Sequence, residues 1–463
     1  MTSSRPVEQV LANVDSTLDE SLERLFALLR IKSISTDSAY AADCVAAAEW
    51  LATDLRSIGF AAEVRPTGGH PAVVAKSSGD GSPHALFYGH YDVQPVDPLN
   101  LWETPPFEPS LATGPDGAKR ILARGACDDK GQVMTFVEAC RAWKAVTGSL
   151  PLGLTLLIEG EEESGSKHLF DFVKANKDDL KADIALVCDT GMWDSDTPAI
   201  TTSLRGLVYE EVKVVAADRD LHSGVYGGGA RNPIHVLGKI IGAIHGDDGR
   251  IAIPGFYDGV KDLPADIKAD WESLGLTAEA FLGPIGLSEP IGEKGRLLIE
   301  MIQSRPTCDV NGIIGGYTGE GTKTVIPSEA SAKISFRLVA GQDPLKIREA
   351  FHAFVRARLP VDCKVEFISY KASPAIELPW TMPALTGARA ALTAEWGRKA
   401  VTIGSGGSIP IVGDFKNVLG LDSLLVGFGL EDDRVHSPNE KYDLKSFHKG
   451  IRSWVRILDT LAA

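Results

Sequence analysis

The chain has 463 residues, 44% of them hydrophobic, and a formal net charge of −15 at pH 7. This length predicts two or three domains, and the negative charge argues against a general nucleic-acid-binding protein. No apolar run approaches the roughly 18 residues of a membrane span, and the six cysteines form no CxxC pair. We therefore expect a soluble cytoplasmic protein with reduced thiols and without nucleic-acid or membrane partners.

Two helices are predicted near the N-terminus. Leucine and phenylalanine recur at helical spacing over 18–29, and Thr17 with Glu20 resembles a capping box at the start of that helix. A second helix over about 41–58 should end at Gly59, because glycine is a common residue just after a helix C-terminus.

Strands and helices then alternate. Apolar, β-prone runs end at His90, near Glu159 and at Asp189, and a helix over about 130–148 lies between the first two. Strands separated by helices of this length are typical of βαβ units and a parallel sheet.

The pattern changes after about Leu204. Short segments with alternating polarity are interspersed with helix starts, which favours a small two-layer α+β domain. These features lie at 208–215, Asn232-Pro233, 332–338, Pro344 and 363–369.

The last part of the chain returns to the first pattern, with a helix from about Pro383, a strand at 423–428 and a final helix. Because a candidate metal ligand lies in this part, the small domain must be an insertion. We predict an α/β protein with a mostly parallel-sheet catalytic domain and an inserted two-layer α+β domain of ferredoxin-like type. The predicted divisions are 1–204 (catalytic, first part), 205–380 (insertion) and 381–463 (catalytic, second part).

Five potential metal ligands are scattered over the chain. Four of them follow an apolar, β-prone run, and the other opens a helix. The carboxyl ends of parallel strands converge on one crevice, where two imidazoles and three carboxylates would suit a pair of divalent ions, with zinc favoured. The candidates are His90, Asp128, Glu163, Asp189 and His436.

Nearby carboxylates suggest further roles. Asp92 lies two residues after His90 at a strand end, so the two side chains share a face and the carboxylate can orient the imidazole. Asp128 is a candidate bridge between two ions, with an ordinary N-cap as the alternative. Of the three glutamates at 161–163, one can bind metal while another acts as a general base, with a solvated acidic turn as the alternative. The residues alone leave open which does which.

Three features lie outside this set. His222 falls in the inserted domain, where a surface histidine is the alternative interpretation. Arg337 lies on the open face of a predicted strand and could bind a substrate carboxylate through two hydrogen bonds, or equally be an ordinary solvated strand residue. The loop GSGGS at 404–408 could hold an anion with its backbone N–H groups, although a flexible turn is the default reading.

Together these motifs resemble the M20 family of metallopeptidases, and the resemblance covers essentially the whole chain. The matching segments occur in the order typical of the family. DLHSGVYGG is characteristic of the branch that contains cytosolic nonspecific dipeptidases and carnosinases. The segments are HYDVQP, RGACDDKG, EGEEESGS, VCDTG, DLHSGVYGG, KTVIP with SFRLV, GGSIP and HSPNE.

The resemblance implies a role for each site residue. His90 and Asp189 would bind one metal ion, and Glu163 and His436 the other, with Asp128 between them. It further implies that Glu162 is the general base, that Asp92 orients His90, and that the Asp128–Asp129 peptide bond is cis.

The resemblance also implies a homodimer formed through the inserted domain, with His222 reaching the partner's active site. Thr324, Arg337 and Ser408 match positions that hold the C-terminal end of the substrate. An aspartate at position 189 resembles the aminopeptidase and dipeptidase members, whereas glutamate is usual in carboxypeptidases and acyl-deacylases.

The function that follows is metal-dependent hydrolysis of the peptide bond of dipeptides or short peptides, by a water held between the ions with Glu162 as base. The cofactors would be two divalent ions per subunit. Zn²⁺ is the favoured ion, and Mn²⁺ and Co²⁺ are the alternatives. One alternative is an N-acyl-amino-acid amidohydrolase with the same water chemistry. The other is a non-catalytic metal-binding or peptide-binding protein.

Overall fold

The computed structural model describes residues 6–78, 83–370, 372–406 and 409–462. The chain divides into two compact units. The first unit comprises Met1–Thr202, Leu378–Ile403 and Ile411–Ala463, and the second comprises Ser203–Glu377 and Gly404–Pro410.

This division differs from the predicted one by two or three residues at the ends of the insertion, and it places Gly404–Pro410, which the sequence analysis assigned to the catalytic domain, in the second unit. Two backbone groups at the start of this segment are bonded to residues of the second unit. The N–H of Arg205 donates to the carbonyl of Ser405 at 3.2 Å, and the N–H of Gly404 donates to Oε1 of Gln303 at 3.0 Å.

Helices account for much of both units. None of the helices in the described residues is both long enough and apolar enough to cross a bilayer. In chain order they are α1 (Val7–Ser16), α2 (Leu18–Leu29), α3 (Ala41–Ser57), α4 (Lys130–Thr147), α5 (Leu169–Ala175), α6 (Ser223–Tyr226), α7 (Pro233–Gly242), α8 (Ala265–Ser273), α9 (Ala278–Leu282), α10 (Leu298–Gln303), α11 (Pro344–Arg356), α12 (Pro383–Trp396), α13 (Pro410–Asp414) and α14 (Leu444–Leu461).

The strands are distributed over a large sheet in the first unit, a smaller one in the second, and two minor ribbons. In chain order they are β1 (Ala61–Arg65), β2 (Ala72–Ser77), β3 (His84–His90), β4 (Ser110–Thr113), β5 (Lys119–Leu122), β6 (Gly153–Glu159), β7 (Ile184–Val187), β8 (Ala199–Leu204), β9 (Gly206–Val215), β10 (Leu221–His222), β11 (Thr307–Gly315), β12 (Val325–Ile326), β13 (Glu329–Leu338), β14 (Lys364–Ser369), β15 (Ile376–Glu377), β16 (Val401–Ser405), β17 (Ser423–Leu425) and β18 (Lys441–Asp443).

The centre of the large sheet is parallel. Strands β6, β3, β7 and β17 lie side by side in that order and run in the same direction. They are buried along almost their whole length, as expected for strands covered on both faces. The predicted parallel sheet is therefore present. Its margins, β1–β2 on one side and β8 on the other, are antiparallel, which the sequence analysis did not predict.

Aromatic packing joins this sheet to the helices of the first unit. The ring of Phe87 on β3 stacks on Phe136 of α4 with centroids 3.8 Å apart. Phe136 in turn meets Trp454 of α14 edge-on at 5.1 Å. All three side chains are buried, so they anchor α4 and α14 against the sheet and fix the start of α4 near the strand ends.

The predicted N-terminal helices are present as α2 and α3, but the capping box is not formed. Thr17 makes no side-chain cap hydrogen bond to α2. Its hydroxyl instead donates to the carbonyl of Asn13 at 2.9 Å, because Thr17 is also the residue that ends α1.

The second unit contains an antiparallel sheet of order β11-β13-β9-β14. Helices α7 and α11 contribute to a core with one face of that sheet, including Leu237, Ile334 and Phe351. With α7 after β9 and α11 after β13, the connectivity is β–α–β–β–α–β, that of a ferredoxin-like domain. Helices α8 to α10 lie between α7 and β11 in the chain.

Candidate metal centre

The carboxyl ends of the parallel strands carry three of the predicted ligands. His90 is the last residue of β3, Glu163 lies in a 3₁₀ turn (Glu162–Ser164) that follows β6, and Asp189 follows β7. Since these strands are parallel neighbours, their ends meet at one edge of the sheet. That edge is buried at His90 and partly open at the other two residues.

The two remaining ligand candidates come from loops. Asp128 lies two residues before the start of α4, and the Asp128–Asp129 peptide bond is cis, as the resemblance implied. His436 lies in the loop between β17 and β18, where its φ of +63° is in the left-handed region. Such backbone is uncommon for a residue other than glycine and turns the imidazole toward Asp128.

Asp128 lies between the two histidines. Its Oδ1 is 3.0 Å from Nε2 of His90, and its Oδ2 is 2.9 Å from Nε2 of His436. Nε2 of His436 is also 3.1 Å from Oε2 of Glu163. Two donor sets result, His90 with Asp128 and Asp189, and Asp128 with Glu163 and His436. Within each set the potential ligand atoms lie within 4.8 Å of one another. All five predicted ligands are thus brought together, with one carboxylate common to both sets.

Asp92 supports three neighbours from a fully buried position. Its Oδ1 accepts from the N–H of Glu162 at 3.2 Å and its Oδ2 from the N–H of Glu163 at 3.0 Å. Oδ1 also lies 3.3 Å from Nδ1 of His90, which is hydrogen-bonded to the backbone carbonyl of Asp92 at 3.1 Å. Asp92 therefore holds the glutamate turn as well as the histidine, a wider contact set than the sequence suggested.

Several carboxylates lie close together at this edge, and burial and neighbouring charges shift their pKa values. Burial, followed by repulsion from Asp128, raises the pKa of Asp189 well above its usual value. Burial also raises the pKa of Glu162, with repulsion from Asp128 and Glu163 adding to it. Burial opposes the charged form of Asp128 too, but hydrogen bonds from His436 and His90 outweigh it and hold its pKa low.

This donor set fits divalent cations. Carboxylates that repel one another in a buried edge gain stability when a cation lies among them. Imidazole nitrogen together with carboxylate oxygen suits zinc and its neighbours in the first transition row. A carboxylate with one oxygen toward each donor set is the arrangement that two ions sharing a ligand require.

Sequence reasoning missed Gln94, which lies two residues after Asp92 in HYDVQP. Its Nε2 donates to Oε2 of Glu163 at 2.7 Å and so fixes the carboxylate of a predicted ligand. The same two-residue spacing that drew attention to Asp92 would have pointed to Gln94. An amide beside a proline, however, has no distinctive pattern in a single sequence.

The other predicted site residues belong to the second unit. His222 ends β10 and pairs with Val325 of β12, and its Nδ1 accepts from the N–H of Gly224 at 3.0 Å. The carbonyl of Thr324 accepts from the N–H of Ser223 at 3.1 Å, so Thr324 lies next to His222. Arg337 lies on β13, on the opposite face of the strand from the neighbouring core residues. Ser408 lies outside the described residues.

A family profile described as Peptidase family M20/M25/M40 matches residues 86–460. The chain belongs to this family, which confirms the resemblance seen in the motifs. In sequence it is 30% identical to the Cys-Gly metallodipeptidase dug1 of Schizosaccharomyces pombe, over 97% of both chains. It is also 30% identical to the Beta-Ala-His dipeptidase of Rattus norvegicus, over 82% of this chain and 78% of the relative.

Among solved structures, the chain is similar to an M20 family metallo-carboxypeptidase, Sso-CP2, from Sulfolobus solfataricus. The TM-score is 0.78 at 30% sequence identity, and the match covers 96% of this chain and 99% of the other. The fold is therefore that of an M20 peptidase with a central, mostly parallel sheet.

Proposed function

We propose that the protein is a dinuclear metallodipeptidase. The observation that carries this proposal is the position of Asp128, whose two carboxylate oxygens face His90 and His436 at 3.0 and 2.9 Å. The two sequence relatives described above are named as dipeptidases, which supports dipeptides as the substrate class. They do not favour an N-acyl-amino-acid amidohydrolase.

His90 and Asp189 would hold one divalent ion, Glu163 and His436 the other, and Asp128 would contact both. Zinc is the ion that we favour, with manganese and cobalt as alternatives. Divalent ions at such a site lower the pKa of water and polarise the carbonyl oxygen of the scissile amide.

Glu162 acts as the general base in this scheme. Its carboxylate would accept the proton of the attacking water and pass it to the leaving amine. Burial raises its pKa, which makes the carboxylate a stronger base and helps it to keep the proton until the leaving amine takes it. Asp92 fixes the turn that carries Glu162, because it accepts the N–H of that residue.

Residues of the second unit would bind the rest of the substrate. The guanidinium of Arg337 suits a peptide's terminal carboxylate, and Thr324 and Ser408 would add hydrogen bonds. His222 would donate to the developing oxyanion of a partner subunit's substrate.

Dimerisation through the inserted domain is supported by the edge strand β11. This strand ends the sheet order of the second unit, and its Ile313 and Ile314 are 61% and 64% exposed. An edge strand with exposed, apolar side chains is well suited to pairing with a second copy. Such pairing would make the second unit both a lid and a dimerisation domain.

The state of the cysteines supports a cytoplasmic location. Burial leaves little access to oxidants, and no disulfide joins any of them. Unpaired thiols throughout the chain are typical of a reducing compartment. They are Cys44, Cys127, Cys140, Cys188, Cys308 and Cys363.

Replacing Glu162 with alanine tests the proposed mechanism. We expect turnover on dipeptides to fall by about 10²–10⁴-fold, the usual contribution of a general base, while elemental analysis still finds the metal. Glu161→Gln is the matched control, because Glu161 pairs with His168 at 2.9 Å and has no proposed catalytic role. A metal-loaded Glu162→Ala enzyme with wild-type turnover would refute the assignment.

Metallo-carboxypeptidase activity is the second candidate, since the structural relative from Sulfolobus solfataricus carries that description. A panel of free dipeptides, N-blocked peptides and N-acetyl amino acids separates the three activities. We expect cleavage of free dipeptides. Preference for N-blocked peptides would favour the carboxypeptidase, and preference for N-acetyl amino acids the amidohydrolase.

A further inference from the structure

Glu440 is a buried carboxylate to which the proposed mechanism assigns no role. It is the last residue of the HSPNE motif, lies between His436 and β18, and is fully buried. A buried ionisable group that is retained next to a metal centre needs partners for both of its oxygens.

The partners of Glu440 all belong to the loop that carries Asp128. Oε1 accepts from the N–H of Cys127 at 3.0 Å and from the N–H of Asp128 at 3.1 Å. Oε2 accepts from the N–H of Gly125 at 3.0 Å and from Nη1 of Arg124 at 2.7 Å. One carboxylate thus collects three backbone N–H groups and one guanidinium from five consecutive residues, 124–128.

Only an acceptor without N–H or O–H groups satisfies this arrangement. An ionised carboxylate has about four acceptor positions and no donor, which matches the four donors. An amide in its place would direct N–H groups at other N–H groups. Arg124 also donates from Nη2 to the carbonyl of Pro95 at 3.0 Å, which holds the guanidinium in place from its other side.

Glu440 and His436 lie in the same segment of the chain. The backbone carbonyl of Glu440 accepts a hydrogen bond from the N–H of Ala123 at 3.3 Å. Glu440 therefore connects the two loops whose side chains, Asp128 and His436, approach to 2.9 Å. We propose that Glu440 is a positioning residue, which fixes the shared carboxylate of Asp128 against both donor sets. This inference rests on the proposed metal centre.

The test compares Zn²⁺ binding by Glu440→Gln and wild-type protein, measured by competition with a chromogenic chelator. We expect zinc affinity about 10–100-fold weaker in the variant, the usual effect of losing a group that orients a metal ligand. We also expect kcat to fall more than KM rises. Glu440→Asp, which keeps the charge but has a shorter side chain, should bind zinc with intermediate affinity.

Glu395→Gln is the matched control. Glu395 is also a buried carboxylate of the first unit, and it accepts from Nε of Arg452 at 2.7 Å and Nε of Arg456 at 3.0 Å. Its hydrogen-bond partners lie on α14, and within the described part of the chain it is not bonded to a loop that carries a proposed ligand. We expect this variant to lose stability while its zinc affinity stays within about twofold of wild type, because it touches no residue near the donors.

The outcomes separate the two proposals. If the wild-type protein binds no zinc, manganese or cobalt, the proposed metal centre is wrong. If it binds zinc and Glu440→Gln binds equally well, the role of Glu440 is wrong while the metal centre stands. Failure of both Glu440 variants to fold in the presence of zinc would also overturn the inference, because Glu440 would then determine the fold and not the position of one ligand.

Discussion

The substitution Asp92→Asn removes one acceptor from a carboxylate that holds the turn carrying Glu162 and Glu163. In the native protein both oxygens accept backbone N–H groups, from Glu162 at 3.2 Å and Glu163 at 3.0 Å. Asparagine has the same size and shape but only one acceptor oxygen. Its NH₂ group must therefore face one of the two N–H donors.

The magnitude follows from the lost hydrogen bond. Asp92 is fully buried, so water does not replace the missing partner. A hydrogen bond to a charged group contributes about 1.5–3 kcal/mol, and each 1.4 kcal/mol corresponds to about a factor of ten in rate. If the loss falls on the placement of Glu162 and Glu163, kcat/KM should decrease roughly 10–150-fold.

The assay is steady-state dipeptide hydrolysis by protein with a verified metal content. Asp183→Asn is the control, since Asp183 accepts from the N–H of His84 at 2.8 Å, at the opposite end of the same strand β3. We expect the control to retain native kcat/KM. Native kcat/KM in Asp92→Asn would refute the argument that Asp92 positions the glutamate turn.

Two further outcomes are expected. His222→Ala should reduce kcat by about 10²–10³-fold. Mixing unfolded His222→Ala and Glu162→Ala chains before refolding should restore about one quarter of native activity. About half of the dimers are then mixed, and each mixed dimer has one complete site out of two. Recovery of no activity would count against a histidine that acts across the dimer. Chelation should lower the thermal midpoint, and zinc at a hundredfold excess over its Kd should restore about 2.7 kcal/mol of stability. An unchanged midpoint would argue against ions at the carboxylate edge.

The elements that the sequence predicted well are those with a long, regular pattern. Strands β3 and β6 read as apolar runs because both of their faces are covered, and α4 ends at Gly148, which has a left-handed φ of +78°. The short strands were not predicted from the sequence. β5 and β18 pair over three residues, too few for a period to emerge. The placement of Gly404 and Ser405 depends on hydrogen bonds to Gln303 and Arg205, which are distant in the chain, and periodicity cannot reveal such bonds.

For the site, position relative to the strands was the useful signal. His90 and Asp189 could be proposed because they directly follow apolar runs, and the structure brings them together. The order of roles within 161–163 did not follow from the residues, since it depends on how the turn after β6 is oriented. Gln94 and Glu440 were missed because a single sequence does not show that Gln94 contacts a carboxylate or that Glu440 accepts backbone N–H groups.

The assignment of residues to the two units has an evolutionary consequence. Every proposed metal-binding side chain belongs to the first unit, whereas Thr324, Arg337 and His222 belong to the second, which has a separate hydrophobic core. Substitutions at the three positions proposed to bind substrate can therefore accumulate without altering the core that carries the proposed metal ligands.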